Sequence, residues 1–327
     1  MKTKNLHIFF LLVLFQFSSV LSFAQSAIHD TIDSRLARAK QLEDNDTKLA
    51  LELMQKTLKF SISKKEKYGE WKVNNALGFF YLKQNQMGEA MEMYQKSIAI
   101  AQKMDSVGLE GLGLLRLSAV LMRLKRLENA QSSATEALNI FKKINDKDAQ
   151  GRALSNLGGI KTMLGLNKEG LNHFLKAYEI FDELGEEDMK SQMNLNISYY
   201  YLMNGQGEAS LPYVMRSLDY NVARKNPDLI ARSYGNLAYA YSLMGNFQQA
   251  FKNYRHCVDT AQKYQFTQVE YETYKDMSET YKKSGNTSKA FEYQTKYYTL
   301  RDSVIGRETQ NRVSELQVQY ETAEQER

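Results

Sequence analysis

The chain has 327 residues, two prolines, one cysteine and a formal charge of +5. So little proline, in a body rich in Ala, Leu, Lys, Glu, Gln, Met and Tyr, favours helices and excludes a strand-rich sandwich. The apolar share, 43%, suffices for a core and excludes global disorder, and the small charge, with no basic run, excludes a nucleic-acid footprint.

Residues 1–24 have the pattern of a cleavable secretion signal. Lys2 and Lys4 precede an uninterrupted apolar run from Ile8 to Phe15, and Ser22-Phe23-Ala24 sets small residues before a cut at Gln25. The run is short for a bilayer core, which argues against an uncleaved anchor. Cleavage removes two lysines and lowers the charge from +5 to +3. No later apolar stretch is long enough to span a membrane, so an exported protein, periplasmic or secreted, is expected. Cys257 has no partner cysteine, and its place in the pattern below suits a small buried residue.

From about residue 25 to 300 the sequence repeats in a 40-residue step. A ruler on Gly78 lands on Ser118, Gly158, Ser198, Ala238 and Ser278, and one step earlier on Arg38. An apolar residue precedes each: Ala37, Leu77, Leu117, Leu157, Ile197, Leu237 and Met277. Twelve residues on, a second small site holds Ala50, Ala90, Ala130, Gly170, Ser210, Ala250 and Ala290. Four residues further stand Met54, Tyr94, Ala134, Phe174, Val214, Tyr254 and Gln294. Antiparallel helices that cross closely need small residues at the crossing and large ones beside it. Turn residues separate the two sites, as in Asn204-Gly205 and Gly245-Asn246. Breaks between copies fall near Asp105-Ser106, Asp146-Lys147-Asp148, Glu186-Glu187-Asp188 and Asn226-Pro227, residues suited to helix starts. The pattern predicts an all-α solenoid of about seven helical hairpins. In the copy holding Ser198 the turn can be read one residue shorter, with Ala209 in place of Ser210 at the crossing.

The spacing resembles the tetratricopeptide repeat, whose pattern runs Leu-Gly, Tyr, Ala, aromatic, Ala. Leu77-Gly78-Phe79-Phe80-Tyr81 with Ala90 and Tyr94 is the closest copy, and Leu237-Ala238-Tyr239-Ala240-Tyr241 with Ala250 and Tyr254 is nearly as good. The step departs from the family's usual 34 residues, and the proline that normally ends the second helix is missing; longer helices account for the extra length. Arg38 and Gln294 break the pattern in the end copies, although Tyr293 can take the aromatic's place.

The resemblance implies that the first helix of each hairpin lines a concave, ligand-facing surface. On those helices Asn156, Asn196 and Asn236 precede the conserved apolar position in three consecutive copies. One turn earlier stand Arg152, Gln192 and Arg232, and three residues after the Asn come Gly159, Tyr199 and Tyr239. An Asn amide can hold an extended backbone without reading its sequence, and a ladder of Asn here is similar to that of kinesin-light-chain-type repeats, where it lies in a peptide groove. The alternative is an Asn that bonds within the stack or faces solvent. As a groove, the strip Arg152, Asn156, Gln192, Asn196, Tyr199, Arg232, Asn236 and Tyr239 would hold a protein or extended peptide, with the arginines favouring carboxylates. Of Tyr199, Tyr200 and Tyr201 only Tyr199 falls on the strip; Tyr201 matches an interior aromatic and Tyr200 packing between repeats.

Nothing suggests catalysis, a metal or a cofactor. His29, His173 and His256 lack ligand spacing, and there is no phosphate loop or nucleophile elbow. Residues 301–327 form a charged segment with Val304, Val313, Leu316 and Tyr320 at helical spacing. A single C-terminal helix is expected, open to self-association. Tyr297 to Val304 resembles the end of the repeat region in bacterial periplasmic sensors, where such a helix leads to a transmembrane segment and a kinase or DNA-binding output. The sequence thus supports two readings: a non-catalytic exported scaffold for protein or peptide partners, or the sensing portion of a membrane signalling receptor.

Overall fold

Helix ends set the architecture. A computed structural model describes residues 26–304, apart from residue 44, and residue 306. Within it, left-handed backbone recurs every twentieth residue: Lys65, Asn85, Asp105, Lys125, Asn145, Gly165, Gly185, Gly205, Lys225, Gly245, Gln265 and Gly285. Each ends a helix. At the first, the Lys65 N–H donates to the Ile62 carbonyl and the Glu66 N–H to Ser61, both at 3.0 Å. The same pair of bonds closes the helices before Gly205 and Gly285. This is a Schellman closure, which satisfies carbonyls the helix itself leaves unpaired.

The residue after the left-handed one is the N-cap of the next helix, so the linker is three residues long, or two before α11, where the preceding helix runs one residue longer. Asp46, Asp146, Asn226, Asn246 and Asn286 cap their helices by accepting backbone N–H bonds through the side chain. Pro227 sits in the first turn of its helix, where its missing N–H costs nothing. Two of the starts expected from sequence work differently. Asp105 takes the left-handed position, and neither Ser106 nor Glu186 makes a side-chain cap bond.

The helices are α1 (26–42), α2 (Thr47–Ser63), α3 (Lys67–Lys83), α4 (Met87–Lys103), α5 (Val107–Arg123), α6 (Leu127–Lys143), α7 (Lys147–Met163), α8 (Asn167–Glu183), α9 (Glu187–Met203), α10 (Gly207–Arg224), α11 (Pro227–Leu243), α12 (Phe247–Lys263), α13 (Thr267–Lys283) and α14 (287–304). No strand occurs among the described residues. All of α2 to α13 have 17 residues except α10, which has 18. Two such helices and two such linkers make the 40-residue step, so the extra length over the usual repeat does lie in longer helices. The chain divides into two compact units, Met1–Leu164 and Gly165–Arg327, with the boundary between α7 and α8.

Packing explains the small residues. In the first unit, a Cβ on Gly78 would lie 2.7 Å from the Tyr94 ring, closer than real contacts allow. Ile32, Met54, Val73, Leu77 and Phe80 fill one core there. In the second unit, Ala238 and Ala250 let Tyr254 pack against Tyr274 and Met277. Ser210 is fully buried and Ala209 is exposed, which settles the ambiguous turn in favour of Ser210.

The first and last copies depart from the ruler for physical reasons. Arg38 is exposed while Ala39 is buried. Four residues separate α1 from α2, one more than the usual three, so the ruler loses register and Arg38 occupies no crossing. In the last copy Gln294 is exposed, and Tyr293 stacks on Tyr281 with ring centroids 5.4 Å apart. The expected signal at 1–24 lies outside the described residues, as does the expected C-terminal helix beyond 306.

Candidate functional site

The periodic helices place the strip residues by arithmetic. A helix that begins every twentieth residue presents the same faces at every fortieth. Arg152 and Asn156 stand on α7 in the first unit. The other six lie in the second unit, on α9 and α11.

In the second unit five of those six converge. Gln192, Asn196 and Tyr199 of α9, with Arg232 and Asn236 of α11, line one cavity of about 400 Å³. Leu195, Leu229, Gly235, Val269 and Cys257 are also in its lining, and Glu272, Thr273 and Asp276 of α13 complete it. Tyr239 is not in the lining; the Lys283 ammonium lies 5.7 Å from the centre of its ring. A lining of amides, one guanidinium, two carboxylates and a few apolar side chains suits a small polar ligand or a peptide segment.

Two of the three asparagines also hold the stack. The Asn156 amide donates to the Leu115 carbonyl at 3.1 Å and to Ser118 Oγ at 2.9 Å, on the first helix of the preceding hairpin. Asn236 makes the corresponding donation to Leu195 at a long 3.5 Å. Stack bonding and ligand bonding are therefore not exclusive: a primary amide has two donors and an acceptor.

The arginines are engaged within their own helices. Arg152 Nε donates to Asp148 at 2.8 Å, and Arg232 Nε lies 3.1 Å from both oxygens of Asp228. Such exposed pairs contribute little stability, but they hold the guanidinium in place and offset its charge.

The strip, read from three Asn, stopped one copy early. The same ruler positions in α13 hold Glu272, Asp276 and Glu279, where α11 has Arg232, Asn236 and Tyr239. Sequence reasoning missed them because they change residue type; the 40-residue step itself was the signal that could have found them. Burial, with Glu279 and Glu272 nearby, pushes the Asp276 carboxyl up to about 7, against the opposing pull of Lys275 and Lys283. Among the described residues no hydrogen bond or ion pair engages that carboxylate. Burial also raises Tyr199 and Tyr239, with the Asp276 charge adding to both.

Cys257 behaves as a packing residue. It is fully buried, its Sγ lies 3.1 Å from Thr273 Oγ1, and burial pushes its thiol up to about 11. A thiol so raised is a poor nucleophile at neutral pH. Among the described residues no group of three or more His, Cys, Asp or Glu could hold a metal ion.

Two family models described as tetratricopeptide repeat match the chain, one at residues 112–183 and 229–303 and the other at 72–104. The chain belongs to the tetratricopeptide-repeat family. No curated protein matches it by sequence. Solved structures do, three of them at 12–15% identity. Aspartyl phosphate phosphatase F from Bacillus subtilis is similar at 15% identity and a TM-score of 0.71, over 85% of this chain and 72% of that one. The Rap conjugation gene regulator of plasmid pLS20, solved in complex with the Phr* peptide, matches at 12% identity and a TM-score of 0.60, over 86% of this chain and 94% of that one. A signal transduction ATPase with a tetratricopeptide repeat sensor, from Pyrococcus horikoshii, matches at 15% identity and a TM-score of 0.61, over 86% of this chain and 44% of that one. At these identities the likeness shows the fold, an all-helical tetratricopeptide repeat array.

The family pattern also sorts the three adjacent tyrosines of α9. Tyr201 stacks on Tyr213 at 5.6 Å, and Tyr200 meets Tyr201 edge-on at 5.4 Å, whereas Tyr199 is 48% exposed at the cavity. The tetratricopeptide frame thus leaves one tyrosine of the three free to meet a partner.

Proposed function

We propose that this tetratricopeptide-repeat chain is a non-catalytic scaffold that binds an extended peptide segment through the cavity on α9, α11 and α13. The observation that carries the reading is the convergence of Gln192, Asn196, Tyr199, Arg232 and Asn236 on that one cavity. A solved structure of the same fold holds a peptide, which supports the ligand class without identifying the ligand. Energetics sets the demands. Each amide contact nets about 0.5–1.5 kcal/mol, whereas micromolar binding needs about 8 kcal/mol. Tyr199 and the cavity's apolar residues have to supply the remainder by burial.

The carboxylate-bearing partner suggested by the arginines alone does not suit the cavity. Asp228 holds Arg232, and Glu272 and Asp276 share the lining. Arg152, Asn156 and Tyr239 lie outside it and are not part of the proposed site. The segment 1–24 supports export, and cleavage before Gln25 is the outcome that N-terminal sequencing of the exported protein should give.

The test of the site is selection from a random peptide library, followed by titration of the retained peptides. Replacing Asn196 and Asn236 together by alanine is expected to weaken them at least tenfold.

A further inference from the structure

We propose that the acidic end of this cavity, Asp276 with Glu272, receives a cationic nitrogen of the bound peptide, an ammonium or a guanidinium. The inference rests on the peptide reading above and adds the charge of one ligand group.

Three observations lead to it. First, the lining changes sign along the repeat: the positions held by Arg232 and Asn236 on α11 hold Glu272 and Asp276 on α13, and both acids line the cavity. Second, two nearby cations are engaged elsewhere, and Lys275, beside Asp276 in sequence, only partly offsets the raised carboxyl. Arg232 bonds Asp228, and Lys283 lies over the Tyr239 ring. Glu272 accepts a bond from the Gln268 amide at 2.9 Å, while the Asp276 carboxylate has neither hydrogen bond nor ion pair among the described residues. Third, burial is the main cause holding Asp276 far above the usual carboxylate range, so Lys275 and Lys283 compensate its charged form only in part in the free protein. A cation brought by a ligand would supply that compensation in a partly dehydrated site, where a charge-assisted bond is strong. Leu195, Leu229 and Val269 in the same lining give apolar contact for the methylene stem of a lysine or arginine.

The shared chemistry is a protonated nitrogen, and its source is either a side chain or a peptide amino terminus. The test uses three nine-residue peptides of alanine and serine: one with a central lysine and blocked ends, one with a central glutamate and blocked ends, and one without either residue but with a free amino terminus. Each is titrated against the full chain and against Asp276→Asn, with circular dichroism confirming that the variant is folded.

The proposal expects the lysine peptide, the free-terminus peptide, or both to bind at least tenfold tighter than the glutamate peptide. It also expects Asp276→Asn to remove that preference. The cationic peptide that binds identifies the source. Equal binding of the three peptides, binding by neither cationic one, or a preference untouched by Asp276→Asn would overturn it. The broader peptide reading is judged separately, from library-selected peptides of any charge and the paired asparagine variant.

Discussion

Asp276→Asn should stabilise the protein by roughly 2–4 kcal/mol at pH 8 and by almost nothing at pH 4, since each tenfold change in a carboxyl's proton affinity is worth about 1.4 kcal/mol. The carboxyl titrates near 7 in the folded chain and near the ordinary 3.8 when unfolded. Between those values the native state keeps a proton that the unfolded state has lost, so stability falls as pH rises through the window. Above about 7 the full cost is present, and below about 4 both states are protonated and the cost vanishes. The groups facing Asp276 do not cancel this. Glu272 and Glu279 add to it, Lys275 and Lys283 oppose it, and the nearby Tyr199, Tyr239, Tyr254 and Cys257 are all raised and so stay neutral across the window. Asparagine is nearly isosteric and is the residue the repeat uses at this position in α7, α9 and α11. Urea denaturation from pH 4 to pH 8 checks the prediction. A difference between variant and parent that stays flat over that range would contradict it. An acid kept at such a cost, in a cavity, is where function and stability conflict.

Tyr254→Ala should cost about 3–5 kcal/mol, the range for truncating a large buried aromatic. Tyr254 is fully buried, and its hydroxyl lies 3.3 Å from Thr280 Oγ1. Its ring fills the space left by Ala238 and Ala250 against Tyr274 and Met277. Tyr254→Phe keeps the ring and removes one bond, so about 1 kcal/mol is expected. Denaturation of the two variants side by side measures the share of packing. Equal losses would mean that the hydroxyl, and not the ring, holds the crossing.

These two positions show what sequence could and could not reveal. Tyr254 was legible because steric fit acts on residue size, and size recurs at every crossing from Ala50 to Ala290. The linker was less legible. Its left-handed position accepts Lys65, Asp105 and Gln265 as well as Gly205, because two capping bonds offset the strain of a non-glycine residue there. The turns within and between hairpins therefore read as different things, although the structure builds both alike. Arg38 failed for a different reason: one extra residue before α2 shifts the register, and no ruler detects a single insertion beside an end helix. At the site, the amides and Tyr199 were legible from their spacing. Asp276 and Glu272 were not, because a cavity is defined by position and the residue type at these positions changes on α13. The hold of Asp148 and Asp228 on the two arginines, by contrast, follows a spacing visible in the sequence, an acid four residues before the arginine on the same helix.

The most direct measurement of the central claim separates the ligand role of the asparagines from their stacking role. Asn156 makes the stronger stack bonds but lies outside the cavity, whereas Asn196 and Asn236 line it. Library-selected peptides should be titrated by calorimetry against the parent chain, Asn156→Ala, and the paired Asn196→Ala and Asn236→Ala variant. The cavity predicts affinity unchanged in the first variant and reduced at least tenfold in the second, about 1.4 kcal/mol or more. Equal affinity in all three proteins, or an equal loss in both variants, would place the asparagines in the stack alone and contradict the site.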